Sequence, residues 1–375
     1  MWAENGAGST TTMQDSLFDD LPAQPAVQER APAKPAKPDK ARATPAAAGP
    51  RVKAAPPDPA HEALAAALPP RLRLGSSSWH FPGWAGLVWD GDYEPSVLSK
   101  HGLAAYAQHP LLRSVSIDRS FYRPLTASQF AAYAAQVPDD FRFIVKAPSL
   151  VADALVRGDD GRGMQRNPAF LDPVLAAQQF VQPALDGLAH RIGALVFQLS
   201  PMPRALLANL PVVLERLRTM LLALPALQPI APDGVIAVEV RNAELLTPEF
   251  VAVLREAGAT YCLGLHPKLP PIEDQIPLLR ALWPGPLVCR WNLNRLHGAY
   301  GYEEARELYL PFDKLVDPDE RTRAALALVI VGTTGAGYNA YLTANNTAEG
   351  SAPRTVVALA EAVQQLLGPQ DRKSD

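Results

Sequence analysis

Eight short apolar runs, each closed by polar or ionisable residues and separated by longer helix-compatible segments, restrict this chain more than any other feature of it. They are RLRLGS (71–76), SVSID (114–118), FRFIVK (141–146), GALVFQ (193–198), VIAVEV (235–240), TYCLGLH (260–266), PLVCR (286–290) and NAYLTANN (339–346). Runs this short and this rich in branched residues read as buried strands. Between them lie VLSKHGLAAYAQ, TASQFAAYAAQ, PVLAAQQFVQPALDGLAH, PRALLANLPVVLERLRTMLLAL and TPEFVAVLREAG, the last with Thr247 placed as N-cap and Pro248 at the first helical position. Alternation of this kind specifies a parallel sheet wrapped by helices. A count of eight predicts an α/β fold of the closed (β/α)8, TIM-barrel-like type, although a doubly wound open sheet gives a similar pattern. The polar residues favour the barrel, because they gather at the C-terminal edges of the runs: Ser76 to Trp79, Asp118, Lys146, Gln198, Glu239 with Arg241, His266, Arg290, and Asn345 with Asn346. A closed parallel barrel carries all eight strand ends to one rim, where its sites form.

The prolines, 38 in all, set the outer boundaries. Residues 21–70 are mainly Pro and Ala with scattered charge and no aromatic residue, too little apolar surface to offset the entropy of ordering. Residues 1–69 therefore read as a disordered tail and linker, 70–368 as the barrel domain, and 369–375 as a charged, disordered C-terminal tail. HEALAAAL (61–68) is the one piece of the tail suited to a short helix, stopped by Pro69 and Pro70. A net charge of -3 provides no general attraction to polyanions, so any such binding must be local. Two cysteines, Cys262 and Cys289, lie inside apolar runs and read as buried reduced thiols, which places the expected home in the cytoplasm. No stretch is long and apolar enough for a membrane span, and the first residues have neither a basic region nor an apolar core of a secretion signal.

GSSSW (75–79) followed by Trp84 and Trp89, VSIDRSFYRP (115–124), VPDDFRFIVKAP (137–148), GALVFQLSP (193–201), VEVRN (238–242) and NNTAEGSAP (345–353) together resemble the domain of unknown function 72 family. The likeness covers 74–367, and the stretch 290–327 looks like the version found in longer members. The resemblance implies a TIM-barrel-like fold and supplies no activity. The chain departs from the family pattern where Ser116 replaces a usual acidic residue, where Asp118 fills the place of a usual Asn, and where Val151 and Ala152 replace a Thr-His pair.

The rim offers several chemistries. Glu239 and Arg241, two apart at a strand end, point to the same side; the pair serves as general base with an anion-binding guanidinium, or as an ion pair closing the rim. Lys146 and Arg290 would complete, with Arg241, a set of three cations suited to phosphate or carboxylate, unless each is neutralised by Asp118 or Glu239. Lys146 could alternatively form a Schiff base if burial or like charge depresses its pKa. Glu239, Lys146 and Asp118 are accordingly the catalytic candidates. Trp79 and Tyr122 are the candidates for stacking a base or sugar, with Trp84 and Phe121 assigned to packing. Gln198, Asn345 and Asn346 complete the substrate-binding set.

Glu239, His266 and Asp118 could converge on a single divalent ion held mainly by oxygens, whereas the absence of H-E-x-x-H spacing argues against a multinuclear hydrolase centre. GTTGAGYNA (332–340) precedes a strand and reads as a flexible connection. Two long loops, 151–172 with Arg157, Arg162 and Arg166, and 292–318 with Arg295, His297, Tyr300 and Tyr302, are placed as lids. The expected function is binding or hydrolysis of a phosphate-bearing small molecule or nucleic acid at the C-terminal mouth, as a hydrolase or phosphodiesterase. The alternative is a noncatalytic ligand- or nucleic-acid-binding protein. Apart from the barrel, QDSLF (14–18) resembles the peptide by which bacterial replication and repair proteins dock on the sliding clamp, with Gln14, Leu17 and Phe18 as its contacts.

Overall fold

The computed structural model describes residues 51–157 and 163–368. Ten strands are present among them: β1 (Leu72–Ser76), β2 (Ser114–Ile117), β3 (Arg142–Lys146), β4 (Leu155–Arg157), β5 (Gly163–Arg166), β6 (Ile192–Gln198), β7 (Val235–Glu239), β8 (Thr260–Leu265), β9 (Leu287–Trp291) and β10 (Ala340–Ala344). Eight of them close into a barrel in the order β1-β10-β9-β8-β7-β6-β3-β2, every pair parallel. The eight apolar runs are the eight barrel strands. β4 and β5 form a separate antiparallel hairpin inside the long segment after β3.

Strand periodicity divides the core in two. Ile144, Ala194, Val196, Ala237, Cys262, Val288 and Tyr341 fill the barrel interior as one cluster. Their chain neighbours, such as Phe143, Val145, Leu195 and Val238, face outward and pack under the helices. Gly193 lets β6 begin close to the Tyr341 ring and the Arg142 side chain, since a Cβ there would lie 3.0 Å from each and push them aside. Helices form where the sequence predicts them, including Ala127–Ala134, capped by Thr126 with Gln129 in a reciprocal capping box, and Pro248–Glu256, capped by Thr247.

The compact unit begins at Val52 rather than at residue 70. Val52 and Leu64 are buried, Ala54 bridges Trp89, and the helix Pro59–Ala67 packs on Ala352–Leu367. Two buried aliphatic side chains and a helix opened by Pro59 suffice to attach a Pro-rich segment whose composition alone suggested a tail. Residues 332–335 also differ from expectation, as they form the last turn of the helix Glu320–Gly335, where Thr334 Oγ1 donates to the Ile330 carbonyl. The turn comes later, at Gly337 with φ 84°. Of the assigned tails, residues 1–50, with the QDSLF peptide, and 369–375 lie outside the described residues. No described helix is long and apolar enough to cross a membrane.

Candidate functional site

β7 ends on Glu239 and β9 carries Arg290 one residue before its end, and the period of two turns both side chains into the barrel. Glu239 is fully buried. Its Oε2 accepts from Arg290 Nη1 at 2.8 Å, and its Oε1 pairs with Arg241 Nη2 at 2.8 Å and accepts from Asn292 Nδ2 at 3.3 Å. Gln198 Oε1 accepts from both guanidiniums, at 2.9 Å from each. Arg290 continues across the barrel to Asp118 Oδ2 at 2.5 Å, and Ser116 Oγ donates to the other oxygen of Asp118. Gly264, beside Arg290 in register on β8, keeps this space open, since a Cβ there would stand 2.9 Å from Leu269 and 3.6 Å from Glu239 Cγ.

Burial alone would raise the Glu239 carboxyl, but Arg241 and then Arg290 hold it below the ordinary range. Arg290 is in turn raised, because Asp118 and Glu239 outweigh its own burial. Lys146 behaves differently. Its Nζ lies 3.7 Å from the centre of the Phe121 ring, and among the described residues it has no carboxylate within 4.0 Å and no hydrogen-bond acceptor. Burial lowers it to about 7, with Asp118 opposing and Arg290 and Arg241 reinforcing the shift. His266 is pushed down to about 4, first by burial and then by Arg241, and its Nδ1 accepts from the Lys268 N–H at 3.1 Å.

This constellation sits at the C-terminal ends of the strands of a closed parallel barrel, in a chain whose residues 73–374 match the family described as protein of unknown function DUF72. The chain belongs to the DUF72 family. A DUF72 family protein of Enterococcus faecalis V583 is similar at 15% identity and TM-score 0.49, over 78% of this chain and 95% of that one. One of Thermotoga maritima MSB8 is similar at 17% identity and TM-score 0.46, over 80% and 99%. No curated protein matches the chain.

In this DUF72 protein the structure brings together Asp118, Lys146, Gln198, Glu239, Arg241 and Arg290 at one mouth. Both oxygens of Glu239 are taken, so of the two readings of the Glu239–Arg241 pair the geometry builds the ion pair. The metal expectation finds no ligand set: among the described residues, no three His, Cys, Asp or Glu side chains group closely enough to hold an ion, Glu239, His266 and Asp118 included. Asp118 and Glu239 each turn to Arg290 instead of to His266.

Other expected ligand contacts are distributed differently. Trp79 is buried edge-on against Tyr133, whereas Tyr122 is 66% exposed. Asn345 caps the turn Asn346–Glu349 by accepting from the Thr347 N–H. Asn346 is buried, where its Oδ1 accepts from Trp84 Nε1 at 3.2 Å and from the Ala352 N–H at 2.9 Å. Asn345 is half-buried and also bonds the Tyr302 side chain. Three contributors went unread in the sequence: Asn292, Ser116 as the residue that orients Asp118, and Phe121 as the surface beneath Lys146. Asn292 had a signal, because it lies two residues beyond Arg290 and so on the same side of the strand.

The segment 292–318, expected as a lid, is folded. It contains the helix Tyr302–Tyr309, and His297 Nε2 lies 2.7 Å from the Tyr309 hydroxyl, which donates to Asp317 at 2.7 Å. Fully buried Glu349 anchors its end, accepting from the Asp319 N–H at 2.6 Å and pairing with Arg323 at 3.1 Å.

Proposed function

We propose that the mouth of this barrel binds a phosphate-bearing ligand, with Lys146 and the half-buried edge of Arg241 as the anion contacts. One observation carries this: among the described residues Lys146 meets neither a carboxylate nor a carbonyl oxygen, while both Nη atoms of Arg290 are held by Asp118, Glu239 and Gln198. A phosphate oxygen supplies the missing acceptor and draws the lysine back toward its charged form. Glu239 acts as a positioning residue that holds both arginines. Asp118, with its side chain one-third exposed, is the carboxylate that a hydrolytic water can reach. Exposed Tyr122 beside Phe121 offers a ring face to a base or sugar.

Calorimetric titration with inorganic phosphate tests the reading. Lys146→Met should weaken binding about tenfold or more and Arg241→Ala somewhat less, by the loss of a charge-assisted contact. Arg218→Ala, on the outer helix Leu210–Leu222 and paired with Glu256, should leave it unchanged. Equal affinity in wild type and Lys146→Met removes the proposal.

A second reading rests on the sequence of the N-terminal peptide. We propose that QDSLF recruits the protein to a sliding clamp through Leu17 and Phe18, with Gln14 bonding at the groove edge. The double change Leu17→Ala and Phe18→Ala should abolish clamp association and leave barrel stability untouched. Absence of binding by the intact chain at roughly tens of micromolar would remove it, since a short ordering peptide binds near the micromolar range.

A further inference from the structure

The environment of Lys146 supports more than attraction. Its backbone is fixed by β2 and β6 on either side and by Ser120 Oγ, which donates to the Lys146 carbonyl at 2.6 Å. Its amine rests on the Phe121 ring, and the residue as a whole is half-buried. The charged groups facing it are Asp118 at the end of β2, Glu239 and Arg241 at the end of β7, and Arg290 on β9. Asp118 follows the strand paired directly with β3, yet it is turned away to Ser116 and Arg290, and Glu239 is enclosed by the two arginines. Among the described residues, the two carboxylates that face the ammonium are thus spent on guanidiniums, which themselves disfavour a third cation.

We infer that Lys146 is a nucleophilic amine that forms a Schiff base with an aldehyde or ketone carrying an anionic group. The inference rests on the phosphate reading for the ligand's other end and deepens it by naming the carbonyl. The nitrogen lone pair attacks the carbonyl carbon and a C–N bond forms. One N–H proton passes to the carbonyl oxygen to give the carbinolamine. The hydroxyl then leaves with the second N–H proton as water, and a C=N bond remains; no oxidant or reductant takes part. Once protonated, the imine puts back the positive charge that the phosphate pairs with. A lowered amine pKa of about 7 supplies the uncharged form near neutrality.

The test uses the full chain, with glycolaldehyde or glycolaldehyde phosphate as probe and cyanoborohydride to reduce the imine, read by peptide mass mapping. Lys146 should be modified at least ~10-fold faster than Lys53, Lys100 or Lys314 at about pH 7.5, as the difference in uncharged fraction requires. Its pH midpoint should lie near 7. Lys146→Arg, which keeps the charge, should lose that adduct, and Lys100→Arg should retain it. Modification of Lys146 no faster than of Lys100 overturns the inference, as does phosphate binding by calorimetry with no adduct from either aldehyde; that second result leaves the phosphate reading standing. Rapid modification by glycolaldehyde with no advantage for its phosphate also overturns the inference, because the anionic group then contributes nothing to the reaction.

Discussion

The two ends of the barrel both carry clustered arginines and aspartates, and they use them differently. At the N-terminal end Arg142 gives Nε and Nη2 to Asp233 at 3.2 and 2.7 Å, and Nη1 to the carbonyl oxygens of Asp139 and Phe141 at 2.7 and 3.0 Å. Arg73 bonds the Asp140 carbonyl at 3.0 Å, and the Tyr341 hydroxyl donates to the Asp233 carbonyl at 2.7 Å. Turns entering the strands thus supply backbone acceptors to guanidiniums that have too few carboxylates. At the C-terminal end Arg241 and Arg290 are matched to side chains, and Lys146 receives no oxygen among the described residues. Counting charges would rate the two ends alike. Among the described residues, the ammonium of Lys146 without an oxygen partner is what separates the C-terminal end.

The comparison breaks most readily at Arg290. Arg290→Ala removes one of the two guanidiniums on Glu239 and the one on Asp118, and should cost about 3–5 kcal/mol in urea unfolding, the range for removing one partner of a buried pair. Arg142→Ala should cost less, about 2 kcal/mol, since Asp233 is one-third exposed and regains water, and phosphate affinity should not move. If the two losses are equal, or if Arg142→Ala alters binding, the ends are not separate in function.

A smaller effect sharpens the contrast through its sign. Between about pH 7 and the ordinary lysine value of 10.5, the unfolded chain holds a proton on Lys146 that the folded chain has released, so wild type gains stability as pH rises through that window. Lys146→Met has no such gain. It should be more stable than wild type by about 2 kcal/mol at about pH 6, and the advantage should close toward pH 10.5. A variant less stable than wild type at low pH would mean that the ammonium has a partner in the fold.

The candidate site was legible unevenly. Glu239 with Arg241, and Lys146, Arg290, Gln198 and Asp118, were readable as rim residues because each stands at the C-terminal edge of an apolar run and a parallel barrel has one such rim. Their roles were not. Glu239 read as a base or an ion-pair partner, and only the convergence of Arg241, Arg290 and Asn292 on its two oxygens separates these. Trp79 and Asn346 sit at strand ends like the others, yet their neighbours bury them. Phe121 read as packing and became the surface under the lysine, a contact that no spacing rule contains.

By itself the sequence determined the eight strands, the face each side chain takes and the end of the barrel where chemistry collects, because period-two alternation, caps and turn residues act over a few neighbouring positions. Only the tertiary structure decided that the folded unit starts at Val52, that Asp118 goes to Arg290, 172 residues away, and that Lys146 meets no acceptor among the described residues. Those outcomes depend on which strands meet across a closed ring and on how many oxygens each cation finds there, and hydrogen-bond partners chosen across the whole chain leave no local pattern in it.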